Sequence, residues 1–282
     1  MASEFIDLVP PQVPIKLAGG FLFTEGPVWH PDCYLLFSDI PANTINRYTL
    51  DGKVQPYIKP SRNSNGLTYD RQGRLVACEH GGRQVSRQDA SGSMVAVAAW
   101  WEGKRFNSPN DVVVHSSGSI FFTDPPYGIK PEQSEIGFNG LYRVDPDGSV
   151  HLLCRDFGRP NGLAFSPDES VLYVDDTERR NVRAFDVGPD LSLSNDRIFV
   201  DMDVPEQGSP DGMKVDVEGN LYVTGAGGIW VIAPQGKHLG TIAFPEQPAN
   251  LAFGGQDYRT VFVTARTSLY SVKVSVPGIR PF

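Results

Sequence analysis

Cysteine is scarce in this chain. Only Cys33, Cys78 and Cys154 occur in 282 residues, with no CxxC spacing and no Cys/His cluster. That excludes a disulfide framework and speaks against structural zinc; buried, reduced thiols of a cytosolic protein are the expectation. Positive charge is also in deficit. Against 33 Asp+Glu stand 25 Lys+Arg, a net charge of −8, with no basic run or stripe. Nucleic acid is therefore not an expected partner. Long apolar runs are missing too. The longest, "MVAVAAWW" at 94–101, is too short to cross a bilayer. The opening "MASEFIDLVPPQVP" lacks the basic start and apolar core of a secretory leader. These absences predict a cytoplasmic chain with no membrane partner. Finally, apolar residues hardly ever recur at the 3.6-residue helical spacing.

Turn residues are plentiful instead: Gly 29 and Pro 23 are spread along the whole length. They punctuate one hairpin pattern that recurs six times. "EGPVWHPDCYLLFSD" begins at Glu25, "NGLTYDRQGRLVACE" at Asn65 and "NDVVVHSSGSIFFTD" at Asn110. "NGLAFSPDESVLYVDD" begins at Asn161, "DGMKVDVEGNLYVTG" at Asp211 and "NLAFGGQDYRTVFVT" at Asn250. The starts lie 39 to 51 residues apart, which is the length of a four-stranded propeller blade. Each interval ends in two more alternating runs around a turn, as in "GLYRVDPDGSVHLLC". The prediction is all-β: a single six-bladed β-propeller over residues 1–282. "SLYSVKV" (268–274) leaves the last blade one strand short, so "FIDLV" or "IKLAGG" from the N-terminal segment is expected to close it. A β-sandwich does not predict six copies of one period. Stretches 98–109 and 128–139 read as loops on one rim.

In a propeller, equivalent positions are related by rotation about the central channel. If the hairpin's first strand is innermost, Glu25, Asn65, Asn110, Asn161, Asp211 and Asn250 converge on one mouth. Asn and Asp there are also ordinary turn residues, but Glu25 is a poor turn former. Six oxygen-bearing side chains, two of them anionic, suit a hard cation, and a solvated polar rim is the competing reading. Glu79 and His80 end the second hairpin, at the offset that puts Asp39 after Glu25 and Asp124 after Asn110. Such residues either face the same mouth or cap a turn. His80 and Tyr127 (in "DPPYG") are candidates for a substrate pocket; Trp100 and Trp101 are candidates for a wall beside it.

The segments "FTEGPVW", "SPNDVVVHSSGSIFFTDPPYG", "RPNGLAFSPDESVLYVDDT" and "PDGMKVDVEGNLYVTGAGGIWV" resemble the gluconolactonase family, which includes senescence marker protein and the luciferin-regenerating enzyme. The resemblance runs from about Gly20 to Tyr270 and is strongest to the bacterial and fungal gluconolactonase branch. It implies a six-bladed propeller with one divalent metal in the channel, Ca2+ first, with Zn2+, Mg2+ or Mn2+ as alternatives. It implies Glu25, Asn161 and Asp211 as metal ligands and Asn110 beside metal and substrate. The implied activity is hydrolysis of a small-molecule lactone. The metal would act as Lewis acid on the ester carbonyl, and Asp211 as ligand and as base on the attacking water. Asn65, Asn110, His80, Arg105 and Tyr127 are the expected substrate contacts. Animal senescence marker protein has an arginine two residues before the ND asparagine; here that place is Ser108, and the nearest arginine is Arg105. Two other functions compete: a different reaction on an ester or hemiacetal, and a propeller that serves only as a binding platform.

Overall fold

The computed structural model describes residues 4–282. It consists of six four-stranded antiparallel sheets arranged as blades. Blade 1 runs Thr24–His30, Tyr34–Asp39, Thr44–Thr49, Val54–Ile58. Blade 2 runs Ser64–Tyr69, Leu75–Glu79, Gln84–Gln88, Met94–Ala98. Blade 3 runs Val112–Val114, Ile120–Asp124, Gly140–Val144, Val150–Cys154. Blade 4 runs Pro160–Phe165, Val171–Asp176, Asn181–Val187, Leu193–Asp201. Blade 5 runs Met213–Val215, Leu221–Gly225, Gly228–Ile232, His238–Ile242. Blade 6 takes Asn250–Gly254, Thr260–Ala265 and Ser268–Lys273 from the C-terminal region and Ile15–Gly19 from the N-terminal one. "IKLAG" thus closes the ring, pairing Ile15 with Ser271 and Gly19 with Ser268. "FIDL" instead forms a short helix, Phe5–Leu8, with Leu8 buried.

Burial follows strand position. Second strands are almost wholly buried and fourth strands mostly half-exposed, because blades press their faces together near the axis and splay outward. Apolar side chains fill these inter-blade spaces. Trp29 of blade 1 stacks on Phe262 of blade 6, with ring centres 5.1 Å apart. The approach is possible because residue 254 is glycine: a β-carbon there would stand 2.6 Å from the Trp29 ring. Burying aromatic rings of this size stabilises the join by about 1.5–3 kcal/mol each.

The stretch 98–109 is more than a loop. Trp100–Trp101 and Lys104–Arg105 form a small hairpin, because Glu102 and Gly103 both accept the positive φ of a tight turn. The stretch 128–139 is irregular apart from a 3-10 turn at Pro131–Gln133. The two pack together: Arg83 of blade 2 bridges them, donating to the Phe106 (2.7 Å) and Gln133 (3.1 Å) carbonyls, and Asn107 Nδ2 donates to the Phe138 carbonyl (2.8 Å). Among the described residues no helix is long and apolar enough to cross a membrane.

Candidate active site at the channel mouth

The six repeat-starting residues do gather at one end of the channel, linked by their own side chains. Asn65 Nδ2 donates to Asn110 Oδ1 (2.6 Å), and Asn110 Nδ2 donates to Asn161 Oδ1. Asn161 Nδ2 reaches Thr177 Oγ1 (3.1 Å). On the other side, Asn250 Nδ2 donates to Glu25 Oε2 (3.0 Å) and to Asp111 Oδ2 (3.3 Å). His80 Nε2 lies 3.0 Å from Asn110 Oδ1. The same nitrogen lies 3.2 Å from Asn65 Nδ2, so it donates to Asn110 Oδ1 or accepts from Asn65 according to its tautomer.

Glycine holds this collar tight. A β-carbon on Gly26 would stand 2.0 Å from the Asn65 carbonyl oxygen, and one on Gly162 would stand 2.2 Å from the Asp211 carbonyl oxygen. The "EG", "NG" and "DG" pairs are therefore close-approach points between neighbouring blades, where Gly162 N–H also donates to the Asp211 carbonyl (2.7 Å). The acidic ends of second strands do not face the mouth as free ligands. Asp39 accepts from the backbone N–H groups of Leu22 and Phe23, Asp124 from Asn107 and Ser108, and Asp176 from Gly158 and Arg159. Each pins the loop that delivers the ring residue just after it. Glu79 is likewise occupied, by Arg62, Gln84 and Ser86.

Five ring members are buried, and Asp211 alone keeps part of its surface open. It forms part of the wall of a cavity of about 260 Å³ shared with Phe23, Thr177, Ser209, Gln247 and Arg266. Beside it lies Glu25. Burial and the charge of Asp111 push Glu25 up to about 7. Burial and the neighbouring Glu25, with which it shares a hydrogen bond, hold Asp211 well above the carboxylate range. Two acids this close cannot both ionise without a proton or a cation between them.

Tyr127 stands half-open near Thr177, its hydroxyl pushed up to about 12 by burial, with Arg159 over its ring at 5.7 Å. Arg105 does not enter the cavity. Its guanidinium donates to the Gly82 carbonyl (2.9 Å) and stacks over Trp100 at 5.7 Å. Trp101 packs on Phe138 and Tyr142, while Trp100 is exposed.

A propeller whose channel mouth is built from these motifs has known counterparts. A family profile described as the SMP-30/Gluconolactonase/LRE-like region matches residues 23–267. The chain belongs to this family. It is 34% identical to the gluconolactonase of Zymomonas mobilis, an alignment covering 93% of this chain and 81% of that one. It is 32% identical to the pentonolactonase of Haloferax volcanii, over 85% and 80% of the two chains. The solved structure of a gluconolactonase from Xanthomonas campestris superposes with a TM-score of 0.88 at 34% identity, covering 97% of this chain and 93% of that one.

Two acids of this SMP-30/gluconolactonase-family chain escape a reading of ring positions alone. Asp111 follows Asn110 where four of the other copies have glycine, and its carboxylate accepts from Val112 N–H (2.8 Å) and from Asn250 across the channel. Asp175 is the first acid of "YVDD". At its place in the second strand the other blades carry Ser38, Cys78, Thr123, Thr224 and Thr264. Ser38, Thr123 and Thr224 donate to inner-strand carbonyls of the next blade, those of Asn65, Asn161 and Ala249. Asp175 is fully buried and neither oxygen has a partner. Burial and the charges of Asp211, Asp111 and Asp176 raise it well above the ordinary range. The signal available in the sequence was an acid where the other copies carry a hydroxyl or thiol.

Proposed function

We propose that the chain is a metal-dependent lactone hydrolase acting on sugar lactones or related cyclic esters. The observation that carries this reading is the Glu25–Asp211 pair, with Asp211 open to the mouth cavity, in a chain one-third identical to a gluconolactonase. The donor set suits a divalent cation: two acids with shared proton demand, with the Asn161 and Asn110 side chains beside them in the ring. Glu25, Asn161 and Asp211 would hold it, with Asn110 adjacent; calcium tolerates so irregular an oxygen set best. When bound, the metal supplies a positive charge for the ester carbonyl oxygen as negative charge develops there.

The chain's own groups do the rest. Asp211, ionised once the cation balances its charge, accepts the proton of the attacking water at the cavity floor. Neutral His80, with Nε2 between Asn110 Oδ1 and Asn65 Nδ2, sets the orientation of these amides. Thr177, tied to Asn161 and to the Pro210 carbonyl (2.8 Å), fixes the segment that carries Asp211. Asn65 braces Asn110, and Tyr127 lies on the rim where the substrate enters. Arg105 has no part in this arrangement.

The test is acid release from a lactone panel, with and without chelator. Turnover of aldonolactones that is lost with chelator and restored by a divalent metal is the expected result. Full activity in exhaustively chelated protein would remove the metal from the mechanism, and inertness toward every lactone in metal-loaded protein would remove the reaction class.

A further inference from the structure

Outside the ring of first-strand residues lies a second circle, formed by the segments that link second to third strands. It contributes His80, Tyr127, Thr177 and Arg266. The first three are committed: His80 to Asn110 and Asn65, Thr177 to Asn161 and the Pro210 carbonyl, and Tyr127 to the guanidinium of Arg159 over its ring. Arg266 is not. Its backbone carbonyl is fixed by the N–H and hydroxyl of Thr24 (2.7 and 3.1 Å). Among the described residues, however, its guanidinium neither donates a hydrogen bond nor lies within 4 Å of a carboxylate. It lines the cavity that contains Asp211.

The same wall carries two more uncommitted groups. The Ser209 hydroxyl has no protein partner among the described residues. Gln247 gives Nε2 to the Gly225 carbonyl (2.9 Å), which leaves its Oε1 without a donor. The Gln247 amide is held in place by Gly208, where a β-carbon would stand 2.8 Å from Nε2. One side of a 260 Å³ cavity thus presents a fork of N–H donors, a fixed carbonyl acceptor and a hydroxyl, with Phe23, Pro210 and Pro248 as apolar surface between them. That is the chemistry that binds a ring bearing several hydroxyls. An anionic ring fits less well, because Glu25, Asp211, Asp111 and Asp175 cluster in the channel behind the cavity.

We propose that Arg266, together with Gln247 and Ser209, forms the specificity wall of the site: it hydrogen-bonds the ring hydroxyls of the substrate and selects polyhydroxylated lactones over bare rings of the same size. This rests on the lactonase reading. A site that pairs with substrate hydroxyls discriminates against analogues lacking them, because its own polar groups are then left without partners. Partial exposure of the wall makes the effect moderate.

The experiment compares δ-gluconolactone with δ-valerolactone, the same ring without hydroxyls, in the wild type and in Arg266→Ala, Arg266→Gly and Ser209→Ala. Residue 266 has a φ of 47°, so the glycine variant keeps the turn while removing the side chain. Arg266→Ala and Arg266→Gly are expected to raise KM for δ-gluconolactone about tenfold with kcat retained, the scale of one substrate hydrogen bond, and to leave δ-valerolactone kinetics unchanged. Ser209→Ala should show a smaller shift of the same kind. Equal losses on both lactones, or none on δ-gluconolactone, would overturn the proposal. A second arm needs no turnover: saturation-transfer NMR with D-glucitol, expected to give a signal in the wild type that Arg266→Gly abolishes. If the wild type opens neither lactone, the reaction class fails and this arm still decides the wall. A missing wild-type signal, or one that Arg266→Gly retains, overturns it.

Discussion

The two ends of the channel differ in size and in chemistry, and the larger cavity is not the one beside the ring of acids and amides. At the end opposite Asp211 lies a cavity of about 400 Å³, lined by mid-strand residues of all six blades, among them Val28, Leu67, Val113, Phe165, Val215 and Phe253. The C-terminal residues Ile279, Arg280 and Pro281 lie against it, and an Arg71–Glu169 ion pair (3.1 Å) spans its rim. The upper cavity is smaller, but Asp211 forms part of its wall and the ring of amides and acids lies behind it. Both ends are built from the same six innermost strands. The start of each strand, where backbone and side chains converge, carries the oxygen-bearing ring residues; further along, where side chains pack between blades, stand valine, leucine and phenylalanine. Volume measures how well blades fill the axis, whereas chemistry follows strand position.

The comparison breaks most visibly through Asp211. Asp211→Asn keeps the shape of the ring but removes a charge and a proton acceptor. It should lower lactonase kcat/KM at least ~10²-fold. Glu169→Gln at the lower rim removes a charge as well, yet should leave activity within about twofold, since surface ion pairs contribute little. Steady-state kinetics on the two purified variants decides it: equal losses would mean that both ends serve the reaction.

A second contrast lies within the upper end, between blade 4 and its neighbours. Asp175→Thr gives blade 4 the hydroxyl that other blades use at that place. Removing a buried, unpartnered acid should stabilise the protein by about 1–3 kcal/mol, which is roughly 2–5 °C in Tm for a chain of this size. Thermal melts of metal-free protein test it. An unchanged or lowered Tm would show that Asp175 has a partner in solution.

The smallest expected effect is a pH slope. Burial lowers His80 from 6.5 to about 4. Between these values the unfolded chain binds a proton that the folded one does not. This contribution to stability is therefore complete above about pH 6.5 and is lost as pH falls toward 4. Urea midpoints at pH 7 and pH 5 should lie closer together in His80→Gln than in the wild type. Equal spacing in the two proteins would mean that His80 gains its proton as easily folded as unfolded.

Blade number, blade boundaries and the six ring residues were legible because each repeats: six hairpins share one register, and register alone sets which residues converge. Closure by "IKLAG" was half legible, since the missing strand was countable but either of two segments could supply it. The reach of a long side chain was not legible. Arg105 is close in sequence to the ND motif, yet its guanidinium is satisfied by a carbonyl in the neighbouring blade. Arg266 stands in the second-to-third-strand segment that gives His80, Tyr127 and Thr177 in other blades, and Gln247 just precedes its blade's first strand; register puts both near the mouth but does not tell which residues line the cavity. Asp111 and Asp175 broke the pattern at their positions; the breaks stand in the aligned repeats, but only the structure shows that both side chains are buried at the channel.

The composite sixth blade has a consequence for how the molecule is made. Its outer strand, Ile15–Gly19, is synthesised before every other strand of the propeller, and its partner, Ser268–Lys273, after all of them. The emerging chain can build five sheets in turn, each from contiguous sequence, but the sixth must wait until Ser268–Lys273 has emerged. Until then the circle is an open arc whose first strand has no neighbour, so the acids of the mouth meet only at the final step. A chain shortened past residue 19 would remain at that stage, with the edge of Ser268–Lys273 uncovered and free to pair with another molecule.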